Sequence, residues 1–273
     1  VGNHYIHNLD PIAFQIGDSL VPWYWLVYIL GFFFIYASGP YLIKRVGAKP
    51  ISPVDWSDYL SFGWLGLIVG ARLGYFLLYQ PEMLEKDPWI LVRIWAGGMS
   101  FHGAVLGACL AIAAVAYFKK KSPWPIFDII CTLLPVCITF GRLANFVNGE
   151  LAGRLSTVPW AVVFPGFYDS LPRHPSQIYE ALGEGLFVGI ILWRGRLNLR
   201  IPSRQTGIFL VAYSIARFGL EFFREPDPQL GLFVLNLSMG QLLSVIFFAL
   251  GVGILKKSFS TILLDLPETT KVL

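Results

Sequence analysis

The sequence predicts an all-α integral membrane protein with seven transmembrane helices. Two observations carry that prediction. Hydrophobic residues make up 55% of the chain and charged residues only 14%, where a soluble domain carries about 25% charge. The apolar residues fall in long runs without strand-like alternation. Hydrocarbon admits only helices or closed barrels, because every backbone polar group must be satisfied internally. A mean hydropathy of +0.61 agrees.

Seven runs approach the ~20 residues needed to cross ~30 Å of hydrocarbon. They are Val21–Ile43, Ser57–Tyr79, Gly98–Phe118, Trp124–Val147, Pro175–Trp193, Thr206–Phe223 and Met239–Leu255. The connections are too short to separate two domains, so residues 1–273 read as one polytopic membrane domain with a small periplasmic loop region at 148–174. The first twenty residues lack a basic stretch and an apolar core, so no cleavable signal peptide is expected. The tail after Lys257 reads as a cytoplasmic end of little order.

Loop charge gives the orientation. Lys44, Arg45, Lys49, Lys119, Lys120, Lys121, Arg194, Arg196, Arg200, Arg204, Lys256, Lys257 and Lys271 fall on one side, thirteen against five on the other. Cytoplasmic loops carry the excess of Lys and Arg. The amino terminus is therefore expected outside and the carboxy terminus in the cytoplasm. The net charge of +4 is a topology signal and does not suggest nucleic acid, since the basic residues are scattered among short loops.

With that orientation, the polar residues inside the spans gather in the outer half. Tyr24, Arg72, His102, Arg142, Asn145, Gln177, Glu180, Glu184, Tyr213, Arg217, Glu221 and Arg224 come from six of the seven helices. Ionisable groups in a bilayer are costly and are kept for function. Arg142 and Asn145 share a helix face, and a cation beside an amide suits a phosphate or carboxylate. Tyr213, Arg217, Glu221 and Arg224 form one stripe, spaced by four, four and three. Arg217 and Glu221 also suit a purely structural i,i+4 pair, and Arg72 could bridge Glu180 or Glu184. Glycines 97, 98 and 103 around His102 allow close backbone approach. Trp23, Trp25, Trp89 and Trp95 read as an interfacial belt. Cys109, Cys131 and Cys137 lie in apolar segments without metal-ligand spacing, and four histidines carry no second ligand motif, so no metal or other cofactor is expected. A chamber of intramembrane arginines suits a binding site for a phosphate or carboxylate, or a transporter or channel for an anionic solute. The absence of an internal repeat speaks against the latter.

Four motifs add specificity: Gly97-Gly98-Met99-Ser100-Phe101-His102-Gly103, the run from Gly141 to Arg154, Arg173-His174-Pro175-Ser176-Gln177-Ile178-Tyr179-Glu180, and Glu221-Phe222-Phe223-Arg224-Glu225-Pro226-Asp227. On these the chain resembles the prolipoprotein diacylglyceryl transferases of bacterial inner membranes over nearly its whole length. Departures are modest: Pro22, Trp25, Ala104 and Ala152 replace the histidine, two glycines and tryptophan expected there. The resemblance implies that Tyr24, His102, Arg142, Asn145, Glu150, Gly153, Arg217, Glu221 and Arg224 serve activity or lipid binding, with Tyr213 beside them on the stripe. It implies transfer of the diacylglyceryl group of phosphatidylglycerol to the lipobox cysteine of a preprolipoprotein, releasing glycerol 1-phosphate. His102 is then the candidate base. Arg142 and Arg217 are the candidate clamps on the leaving phosphate. Tyr24 and Asn145 orient the headgroup. Glu150 and Glu221 orient the arginines, or one of them is the base instead. Both substrates arrive through the bilayer, so the expected partners are phosphatidylglycerol, the signal peptide and the membrane. The protein is expected as a monomer in the inner membrane, with its site toward the periplasmic leaflet.

Overall fold

The computed structural model describes residues 4–17, 19–93, 97–166, 168, 170–226 and 237–265. Trp95 of the aromatic belt, Asp227 of the last motif and Lys271 of the basic tail lie outside the described residues. The chain divides into two compact units, residues 1–48 with 127–273, and residues 49–126.

The second unit is a helix pair. α2 (Pro53–Leu78) starts where Ser52 accepts the Asp55 N–H at 3.1 Å and Pro53 takes the first helical position. A short helix, α3 (Pro81–Lys86), and a 3₁₀ turn (Pro88–Leu91) come after it. α4 (Phe101–Phe118) opens under a Ser100 cap on the Gly103 N–H, 3.3 Å. The two long helices meet through glycines at spacings of four. A Cβ on Gly74 would stand 2.8 Å from the Gly103 Cα, and one on Gly107 would stand 2.8 Å from the Gly70 Cα. Such stripes let backbones touch where no hydrophobic force drives helices together. At one end Lys119 bridges Asp55 and Asp58 at 2.8 and 2.7 Å.

The first unit opens with strands. β1 (Tyr5–Ile6) is followed by a hairpin of β2 (Ile12–Ile16) and β3 (Ser19–Pro22). α1 (Trp23–Val46) continues directly from β3 and ends at Gly47, whose φ of 63° forms a left-handed cap. α5 (Trp124–Asn148) leads to the head, where β4 (Val162–Val163) pairs with β1 in parallel and with β5 (Pro172–Arg173) antiparallel. Ala152, Val162 and Phe164 form its core. The all-α expectation therefore holds for the spans, while the 148–174 region carries a small sheet completed by the amino-terminal segment.

Next comes a continuous helical stretch: α6 (Ser176–Glu180), a π-helical segment (Ala181–Phe187) and α7 (Val188–Arg194). α8 (Arg204–Leu220) and α9 (Met239–Asp265) complete the unit. Val188, Leu192 and Phe209 are buried against Leu134, Ile138 and Tyr213. α8 has no cap of its own: Ser203 sits at φ 68°. Asp128 of α5, 1% exposed, supplies one by accepting from Ser203 N (2.6 Å), Thr206 N (2.8 Å) and Thr206 Oγ1 (2.6 Å).

Among the described residues, five helices are long and apolar enough to cross a membrane: Trp23–Val46, Pro53–Leu77, Phe101–Phe118, Trp124–Asn148 and Met239–Phe259. Helices also form at the other two expected spans. α9 runs on to Asp265, so the segment after Lys257 begins as helix, contrary to the little order expected of it.

Candidate active site

The last two turns of α5 carry Arg142 and Asn145. The helix stops because Gly149 and Leu151 take positive φ, 74° and 57°. Glycine adopts that region freely, but for leucine it is strained and must be held by its surroundings. The holding bonds are visible. Ser176 Oγ donates to Leu151 O at 2.9 Å, and Gln177 Nε2 to Glu150 O at 2.6 Å. The resulting turn folds Glu150 back onto the helix end. Its Oε1 accepts from Asn145 Nδ2 at 2.8 Å and Asn148 Nδ2 at 3.1 Å.

Arg142 faces the π-helical stretch. π-bulges are rare and concentrate at functional sites. Gly185 lets this one press on α5, since a Cβ there would stand 2.8 Å from the Thr139 backbone. Glu180 just before the π-helical segment and Glu184 within it are both 0% exposed. Each bridges two arginines. Arg142 meets Glu180 at 2.9 Å and Glu184 at 3.0 Å. Arg217 of α8 meets the same pair at 2.9 and 3.1 Å, and Glu221 at 2.5 Å. Arg224 lies 3.9 Å from Glu180. Three guanidiniums and three carboxylates thus balance. Removing one member of a buried pair costs about 3–5 kcal/mol, because its partner stays charged and unpaired.

The stripe expected on one helix continues past its end: α8 stops at Leu220 and Glu221 is its C-cap. Ser238 Oγ donates to Glu221 at 2.7 Å. Tyr213 stacks on Phe209 at 5.5 Å and feels the charges of Glu184, Arg142, Arg217 and Glu180. Tyr24 bonds Tyr28 through their hydroxyls at 2.7 Å and lies within electrostatic reach of Glu150 and Arg142. Gly153 is a backbone junction. Its N–H donates to His174 O at 2.9 Å, it bridges Arg224, and a Cβ would stand 2.7 Å from the His174 Cβ. Burial pushes the His174 imidazole below its ordinary pKa.

Tyr24, Arg142, Asn145, Glu150, Gly153, Tyr213, Arg217, Glu221 and Arg224 therefore belong to one unit. His102 belongs to the other, exposed on the first turn of α4 with its ring 5.8 Å from that of Phe101. Arg72, read above as a possible bridge to Glu180 or Glu184, is engaged within its own unit, where its guanidinium donates to backbone carbonyls. Sequence reasoning gave Glu180 and Glu184 only a possible bridge to Arg72, and did not count Asn148 among the site residues. The signal for the glutamates was their spacing of four in a largely apolar run, in a chain whose spans also carry Arg72, Arg142 and Arg217.

A family model described as prolipoprotein diacylglyceryl transferase matches residues 11–256. The chain is similar to a protein of Polynucleobacter asymbioticus, 43% identical over 256 residues, covering 92% of this chain and 97% of the relative. A Pseudoalteromonas translucida protein is 44% identical over 252 residues, 90% and 92% of the two chains. One from Bordetella parapertussis is 40% identical over 247 residues, 90% and 94%. All three are named phosphatidylglycerol–prolipoprotein diacylglyceryl transferase.

Proposed function

Since the chain belongs to the prolipoprotein diacylglyceryl transferase family, we propose that it moves the diacylglyceryl group of phosphatidylglycerol onto the lipobox cysteine of a preprolipoprotein. The thiol loses its proton, and the thiolate attacks the glyceryl carbon that bears the phosphate. A carbon–sulfur bond forms as the carbon–oxygen bond breaks. The electron pair stays on the phosphate oxygen and glycerol 1-phosphate leaves. The observation that carries this reading is the convergence of Arg142 and Arg217 on one buried carboxylate pair. Charge growing on a phosphate oxygen in a low-dielectric site is stabilised best by cations already fixed in place, and the glutamates fix these two.

They are not bare clamps. Arg142 has the more accessible side chain, 18% against 11% for Arg217. Its open edge meets the phosphodiester, while Arg217 stands behind and keeps the pair of glutamates in register. Asn145, Tyr24 and Tyr213 orient the headgroup, and Glu150, held by both asparagines, closes that side. Gly153, Glu221 and Arg224 keep the head turn on the end of α8. His102 takes the thiol proton. Phosphatidylglycerol and the signal peptide are the partners. The enzyme works as a monomer spanning the bacterial inner membrane seven times, with the site toward the periplasmic leaflet. No comparison favours an anionic-solute channel.

The test is mass spectrometry of a lipobox peptide incubated with purified protein and phosphatidylglycerol. A thioether-linked diacylglyceryl adduct, dependent on the peptide cysteine, is expected. An unmodified peptide alongside a folded protein would refute the reading.

A further inference from the structure

One buried arginine ties down the segment that presents His102. Arg72 of α2 is 2% exposed. Its Nε donates to Leu91 O at 3.3 Å. One terminal nitrogen donates to Gly97 O and, at 3.1 Å, to Gly98 O. The other donates to Ile90 O and, at 2.8 Å, to Arg93 O. Five carbonyl oxygens engage the one side chain with five N–H donors in a rigid fork. The Phe76 ring covers the guanidinium face at 4.7 Å. Among the described residues no carboxylate pairs with it.

The neighbours of Arg72 grip the entry to α4. Ala71 O accepts from Ser100 N at 2.9 Å, and Ser100 Oγ caps the first turn of α4. Gly74 packs so closely that a Cβ would stand 3.3 Å from the Ser100 Cβ. Gly97 and Gly98 take φ of 75° and 80°, and a Cβ on Gly98 would stand 2.6 Å from the Tyr75 ring. The stretch from Gly97 to Gly103 is thus pinned to α2 at both ends, and His102 emerges from it exposed.

We propose that Arg72 is a positioning residue for the transfer reaction. It fixes the Gly97–Gly103 segment and, through it, the placement of the His102 imidazole. This rests on the reading of His102 as the base. Misplacing a reacting group by an ångström can cost about a hundredfold in rate.

The experiment uses the full chain in micelles, with Arg72→Gln, Arg72→Lys and Ser100→Ala. The first readout is the rate of diethyl pyrocarbonate modification of each of the four histidines, mapped by mass spectrometry without lipid. The second is single-turnover transfer at saturating phosphatidylglycerol. Arg72→Gln should change the His102 rate at least about threefold, while His4, His7 and His174 keep theirs. Transfer should fall at least about tenfold at saturation, with KM for the lipid altered less than about twofold. Arg72→Lys should rescue poorly, because an ammonium lacks the fork. Ser100→Ala should move both readouts in the same direction by less, and it decides the matter if Arg72→Gln does not fold. An unchanged His102 rate, a change shared by all four histidines, or a loss confined to KM would overturn the proposal. If the wild-type protein transfers nothing, the functional reading fails, while the histidine mapping still decides what Arg72 holds.

Discussion

Arg217 and Glu221 meet at 2.5 Å across one helical turn, as their spacing of four indicates. The rest of the charge network was not legible that way. Glu184 finds Arg142 across 42 residues and Arg217 across 33. A sequence read for periodicity carries no signal for such pairings. The shared carboxylates give two expectations. In Glu184→Gln, Arg142 leans on Glu180 alone while Arg217 keeps Glu180 and Glu221, so buried positive charge is left over. The variant should lose about 3 kcal/mol of stability, measurable as an earlier thermal or proteolytic transition in micelles. In Arg142→Lys, a single ammonium replaces a fork that spans two glutamates. Transfer should drop roughly a hundredfold, the scale of removing one donor to a developing oxyanion, while the variant still inserts. Near-normal turnover there would rule out a role for the planar guanidinium.

Helices were legible as helices, but their ends and internal breaks depended on local chemistry. The first span was expected from Val21, yet β3 claims the chain through Pro22. α2 starts at Pro53 rather than Ser57 because the Ser52 cap and Pro53 set it earlier. Nothing in the Ala181–Phe187 stretch announces a π-helix, and there it brings the backbone close to α5. The start of α8 shows how one element can be completed by another. Asp128 accepts three hydrogen bonds that Ser203 cannot provide for itself. Asp128→Ala should therefore cost about 2 kcal/mol, the upper range for a lost cap. The loss should appear as a lower unfolding midpoint. Transfer per folded molecule should stay near wild type, because Asp128 touches neither arginine nor glutamate of the site. A large fall in turnover with unchanged stability would show that this end of α5 acts on catalysis.

At the scale of the whole molecule, five helices among the described residues have both the length and the apolarity to span. The two remaining expected spans are those that carry Glu180 and Glu184, and Arg217. α8 is 17 residues long and the other stretch is broken by the π-helical segment, so neither is an uninterrupted α-helix of spanning length. Orientation therefore rests on the loops, where Lys and Arg stand thirteen to five. A reversed orientation would place Lys119, Lys120 and Lys121 outside, against the bias that sets topology. It would also turn the Asn145–Glu150 turn toward the cytoplasm. Two exposed serines report on the two sides, Ser122 just after the lysines and Ser170 in the head. The native Cys109, Cys131 and Cys137 carry free thiols and are replaced by alanine first. In intact spheroplasts an impermeant maleimide should label Ser170→Cys and leave Ser122→Cys untouched until the membrane is permeabilised. The opposite pattern would place the charged cluster at the cytoplasmic leaflet. Labelling of both positions before permeabilisation would mean that the number of crossings between residues 122 and 170 is even, and that the helix Trp124–Asn148 does not span.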